Sequence, residues 1–101
     1  MHTTESVREA LKQIKDPELN CDIVSLGLVY AIRIPDAKHV EVDVTFTSMG
    51  CPAGPYILSE VQRVINELDG SPDGTVNLVW EPAWTKDRID PLVRDELMGG
   101  I

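Results

Sequence analysis

The segment 40-VEVDVTF-46 limits the possible folds more than any other part of the chain. Val40, Val42, Val44 and Phe46 alternate strictly with Glu41, Asp43 and Thr45. Successive side chains of a strand point to opposite faces, so this pattern predicts a strand with one buried face. Its valines need an apolar layer to pack against, and its backbone needs neighbouring strands.

The flanking sequence supplies both. Leu28 to Ile34 reads as a second strand, joined through the turn 35-PDAKH-39 into an antiparallel hairpin. A helix is expected from about Pro55 to Leu68, with Ile57, Val61, Val64, Ile65 and Leu68 as its buried stripe and Gly70 at its end. After 70-GSPDG-74, Val76, Leu78 and Trp80 alternate as a third strand. Upstream, Thr4 caps a first helix running to about Lys15, with Val7, Ala10, Leu11 and Ile14 on one face. Pro17 stops it, because the residue before a proline is pushed out of helical geometry. The stretch 16-DPELNCDIVSLGL-28 has no clean period and reads as an ordered loop, as does 81-EPAWTKDRID-90. Asp90 and Pro91 then open a short helix through Met98, closed by Gly99 and Gly100. The expected fold is α+β: a small two-layer α/β domain over residues 1–101, in the order α-β-β-α-β-α. Its three-stranded mixed sheet carries the helices on one face.

Charge and composition remove several functions. Nine basic residues stand against seventeen acidic ones, a net charge of −8. That balance opposes a grip on nucleic-acid phosphates, which needs clustered basic side chains. It suits solubility first, and a basic partner surface second. No apolar run approaches the roughly 20 residues of a membrane span. The N-terminal MHTTESVREA lacks the basic end and apolar centre of a signal peptide, so a cytoplasmic chain is expected. Cys21 and Cys51 form no C-x-x-C pair, and in a reducing compartment a structural disulfide between them is not expected.

Chemistry concentrates in three loops. In 45-TFTSMGCPAGP-55, Thr47 ends a strand and Cys51 falls at or just before the start of the second helix. Free N–H groups and the positive end of the helix dipole lower a thiol pKa there, making it a better nucleophile and metal ligand. A small buried hydrophobe is the competing role for this cysteine. In the second loop, Asp16 and Glu18 are hard oxygen ligands or a general base near Cys51, or else a turn cap and a solvated acid. Cys21 lies in the same loop and suits packing. The third loop, 80-WEPAW-84, forms either an exposed partner-binding edge or a cover for the open end of the core. Glu81 is its residue best placed to reach a site. His2 and His39 are poor metal candidates, and Lys86, Asp87 and Arg88 read as a solvated surface group. No phosphate-cradling glycine loop and no hydrolytic triad pattern is present.

Four motifs follow one another in order: DPE at 16–18, DIVSLGLVY at 22–30, TSMGCP at 47–52 and WEPAWTKDRI at 80–89. In these the chain resembles the small domain of iron–sulfur cluster assembly factors, similar to the bacterial SufT and PaaD proteins and the eukaryotic cytosolic targeting factors. The resemblance implies a two-layer α/β domain acting as an accessory factor that helps assemble clusters or deliver them to recipient proteins. It makes Cys51 the central functional residue and places Asp16, Glu18 and Thr47 around the same pocket. Glu81 and Trp84 become architecture or interaction surface. Cys21 departs from the pattern, since a proline or aliphatic residue commonly stands there. The chain ends soon after the third helix, without the cysteine-bearing extension of PaaD-type subunits, which favours the general cluster-assembly branch.

Iron–sulfur clusters are normally held by about four ligands, mostly thiolates. One chain offers two cysteines. A cluster or iron ion would then be held transiently at Cys51, with carboxylate help, or bridged between the Cys51 residues of a homodimer. An adapter that holds no iron fits the same residues. Two readings of another class remain beside these: a thiol-dependent redox or transfer enzyme using Cys51, and a pure protein-interaction module.

Overall fold

In the computed structural model, Val40, Val42 and Val44 of strand β4 (His39–Val44) are all buried, as their alternation requires. The structure describes residues 2–47, 50, 52–70 and 72–94. Strand β4 is the centre of a three-stranded sheet, between β3 (Val29–Asp36) and β5 (Asp73–Leu78). Strand β3 pairs antiparallel, with Ile32 opposite Val42, while β5 pairs parallel, with Val76 opposite Val42 and Leu78 opposite Val44. Parallel neighbours cannot be joined by a tight turn. Helix α2 (Gly54–Asn66) makes the crossover and buries Ile57, Val61, Val64 and Ile65. The expected mixed sheet is present. Both strands of the hairpin run further into the turn than the sequence pattern suggests, and Pro35 is tolerated because β3 is an edge strand.

Helix α1 (Thr4–Leu11) differs from expectation at both ends. Thr3, not Thr4, is the N-cap: its Oγ1 accepts from the Ser6 amide at 3.0 Å, and the Ser6 hydroxyl oxygen accepts from the Thr3 amide at 2.9 Å. This reciprocal box satisfies two amides that a helix start leaves open. The helix ends at Leu11 rather than near Lys15, because the following backbone is committed elsewhere. Ile14 accepts from the Ile23 amide, and Lys15–Asp16 (β1) pairs with Cys21–Asp22 (β2) in a short antiparallel ribbon. The segment expected to be an ordered loop therefore begins as this ribbon.

Helix α1 packs on β3, α2 packs on β5, and the two helices touch, giving the helical layer on one face. Across the sheet, Arg33 donates to Glu41 at 2.7 Å and to both oxygens of Asp43, at 2.7 and 2.9 Å. The Asn77 amide donates to the same two carboxylates. These contacts, with Arg33 the principal one, hold Glu41 and Asp43 below the ordinary carboxylate range. The last helix, α3 (Pro91–Arg94), opens where Asp90 and Pro91 predict; its expected continuation to Met98 lies outside the described residues. Among the described residues no helix is long and apolar enough to cross a membrane.

Candidate functional site

Strand direction gathers the motif-bearing loops at one end of the sheet. Strand β4 ends there, β3 begins there and β5 ends there. The Thr45 amide donates to the Leu28 carbonyl, and the Val79 amide to that of Val44, each at 2.8 Å. The β1–β2 ribbon leads into the 22–30 segment: the Ile23 amide donates to the Ile14 carbonyl, and the Ser25 amide donates to the Asp22 carboxylate at 2.9 Å. Residues 79–90 form a strap from β5 back to the 22–30 segment. Trp84 Nε1 donates to the Leu26 carbonyl at 2.8 Å, Tyr30 Oη to that of Pro82 at 2.7 Å, and the Asp90 amide to that of Ser25 at 2.7 Å. The Arg88 guanidinium lies 4.6 Å from the centroid of the Tyr30 ring, a cation–π contact.

Gly27 shows why the strap and the DIVSLGLVY motif belong together. Its φ is +75°, and a Cβ built there would stand 2.3 Å from the Arg88 carbonyl oxygen. Only glycine meets both conditions. Trp80 and Trp84 are half-buried against the core, which is the covering role weighed from the sequence. Glu81 is exposed and is followed by a cis peptide to Pro82. Lys86, Asp87 and Arg88 are exposed.

Asp16 is only 2% exposed, and its Oδ1 accepts from the amides of Glu18 at 2.8 Å and Leu19 at 3.3 Å. The carboxylate thus turns the chain between β1 and β2. Glu18 is exposed, and Thr47 is half-buried at the head of the loop leading to α2. Cys51 lies outside the described residues. Cys21 is half-buried against the core. Among the described residues, no group of three or more His, Cys, Asp or Glu side chains could hold a metal ion.

Helix α2 starts without the chemistry that closes α1. Its N-cap is Ala53, which has no side-chain acceptor; Pro55 stands in the first turn, and no acidic residue does. At this start Ala53 contributes no side-chain cap, and a helix start carries open amides and the positive end of the helix dipole. One further residue was invisible to sequence reasoning. Thr45 is 1% exposed, and among the described residues its Oγ1 has no hydrogen-bond partner. Its alternation with Val44 and Phe46 marks it as polar and outward, and no local pattern signals that it is covered.

A small α+β domain with its motif loops collected at one end of a mixed sheet is therefore the class to which the chain conforms. More specifically, it belongs to the iron–sulfur cluster assembly protein family, which matches residues 4–78. The chain is 53% identical over 74 residues to the Fe–S protein maturation auxiliary factor SufT of Staphylococcus aureus, spanning 73% of this chain and 84% of that one. It is 42% identical over 85 residues to the Fe–S protein maturation auxiliary factor YitW of Bacillus subtilis, 84% of this chain and 83% of that one. A crystal structure of a domain of unknown function from Bacillus anthracis superposes with a TM-score of 0.87 at 34% identity, covering 93% of this chain and 90% of that one.

Proposed function

We propose that the chain is an accessory factor in iron–sulfur protein maturation, working as one domain over residues 1–101 with Cys51 as its functional thiol. The observation that carries this reading is the bonding of the 22–30 and 79–90 motif segments to one another at the end of the sheet where β4 leads toward α2, in a chain similar to two maturation auxiliary factors. An electropositive helix start favours the thiolate, the form of cysteine that attacks or ligates.

A cluster or an iron ion is cargo in this reading. Two cysteines in the chain do not complete the roughly four ligands of a stable cluster. Cargo is held briefly at Cys51, with Asp16, Glu18 and Thr47 around it, or shared with the recipient protein or a second copy of the chain. The partners are iron–sulfur proteins, and the site of action is the cytoplasm.

The deciding experiment is complementation. In a strain lacking the protein, Cys51→Ser is expected to fold and accumulate normally yet leave iron–sulfur enzyme activity unrestored. Full rescue by that variant overturns the role of the thiol.

A further inference from the structure

The geometry points to the free edge of β5 as the docking place for an extended segment of a partner protein, one in which apolar residues alternate with lysine or arginine. The inference stands apart from the role of Cys51 and starts from the two edges of the sheet. Edge strands offer unpaired backbone groups to other chains, and proteins usually blunt them. The β3 edge is blunted: it carries Pro35 and register shifts at Val29/Ala31 and Arg33/Asp36. Strand β5 has neither proline nor lysine, and it pairs with β4 residue for residue from Asp73 to Leu78. Among the described residues no strand lies on its other side.

Bond alternation fixes which groups of β5 are open. The Asp73 amide donates to the Lys38 carbonyl, and the Val79 amide to that of Val44. In a parallel ladder both backbone groups of every second residue point to the same neighbour, so Asp73, Thr75, Asn77 and Val79 face β4. The amides and carbonyls of Gly74, Val76 and Leu78 face outward. Gln62 of α2 closes part of this edge by donating to the Gly74 carbonyl at 2.9 Å. Val76 and Leu78 are left as the docking positions.

Side chains give that edge its selectivity. A Cβ at position 74 would meet Ile65 and Gln62, so the side chains of Val76 and Leu78 are turned to the α2 face as well. There Leu78 is 38% exposed, and Leu58, one turn before Gln62, lies on the same side of the helix. On the other face stand Asp73, whose side chain is 88% exposed, and Asn77, which donates to Glu41 and Asp43. Arg33 supplies one positive charge to those two carboxylates, so the face beside β5 keeps a negative balance. An added strand that alternates apolar and basic residues suits both faces at once. A second copy of this chain brings a further net charge of −8 and is the poorer match.

The test is fluorescence anisotropy of the full chain with labelled, end-blocked peptides at low salt. KVKVKVK is expected to bind about tenfold more tightly than EVEVEVE, which reverses the charge, or KKKKVVV, which keeps the charge without the alternation. Val76→Pro removes an outward amide and leaves the bonds to β4 in place, and it is expected to weaken KVKVKVK binding about tenfold. Leu78→Lys sets a positive charge at the edge and is expected to weaken it about fivefold. In hydrogen exchange, bound KVKVKVK is expected to slow the Val76 and Leu78 amides about tenfold, leaving those of Thr75 and Asn77, already bonded to β4, unchanged. The inference is overturned if folded Val76→Pro and Leu78→Lys proteins bind KVKVKVK as the unaltered chain does, or if KKKKVVV binds as well as KVKVKVK. Should Val76→Pro fail to fold, Leu78→Lys and the exchange of the Val76 amide decide. A dimer in sedimentation that Leu78→Lys dissociates also overturns it, because a second copy then occupies the edge.

Discussion

The two ends of the sheet treat their polar groups differently. At the hairpin end, α1 begins in a closed Thr3–Ser6 box, and the His2 ring is 2.7 Å from the Asp69 carbonyl oxygen. There too, Asp36 accepts from the Lys38 amide and from His39 Nδ1, each at 2.8 Å. At the opposite end, α2 begins at an alanine, and the Thr45 hydroxyl is buried without a partner among the described residues. Helix starts and buried hydroxyls are usually satisfied because an unmet group costs free energy. The contrast teaches where the fold is secured and where it has kept donors in reserve.

The largest expected effect lies at the unsatisfied end. Thr45→Val keeps the shape and removes the orphan hydroxyl, so it should raise the free energy of unfolding by about 1–2 kcal/mol. Urea unfolding measures this. If the same variant also lowers complementation, the hydroxyl serves the site; if Thr45→Val is destabilising, the contrast between the ends is wrong. Next in size, Thr3→Ala opens the box at the other end and should cost about 1 kcal/mol in the same assay while leaving Cys51 alkylation unchanged.

The smallest effect is electrostatic. The His39 hydrogen bond, followed by that of the Lys38 amide, holds the Asp36 carboxyl below the ordinary aspartate range. A lowered folded-state value means that Asp36 contributes its stability above the unfolded-chain value and loses it as pH falls through the lower folded one. An NMR titration should show Asp36 protonating at lower pH than an unstructured aspartate, with His39→Ala moving it back up. An unchanged midpoint in that variant would remove the histidine from the account.

Much of this organisation was legible in particular residues. The alternation from Val40 to Phe46 and the stripe from Ile57 to Ile65 were readable because each buries one face of a regular element, and burial leaves a period. The β1–β2 ribbon was not, since paired two-residue strands are too short to show a period. The early stop of α1 was hidden by Lys12 and Gln13, which favour helix, while the tertiary bond from Ile23 to Ile14 takes the chain elsewhere. Asp16 was readable as a turn cap because its side chain bonds backbone two and three residues ahead. The packing of Gly54 on Phe46, of Gly27 against Arg88 and of the strap over Tyr30 all depend on residues far apart in the chain or on the space between them. A one-dimensional pattern carries no record of such distances.

The Arg33 cluster has a consequence for how the chain avoids misfolding. It draws one side chain from β3, two from β4 and one from β5, so every strand of the sheet contributes to a single set of bonds. Sliding any strand by one residue would turn its inward side chains to water and would also separate Arg33 or Asn77 from the carboxylates. The parallel edge strand β5 meets its partner only after a long crossover and has no tight turn to set its alignment. For that strand, Asn77 acts as a register pin, rewarding the one alignment in which the two acids of β4 lie within its reach.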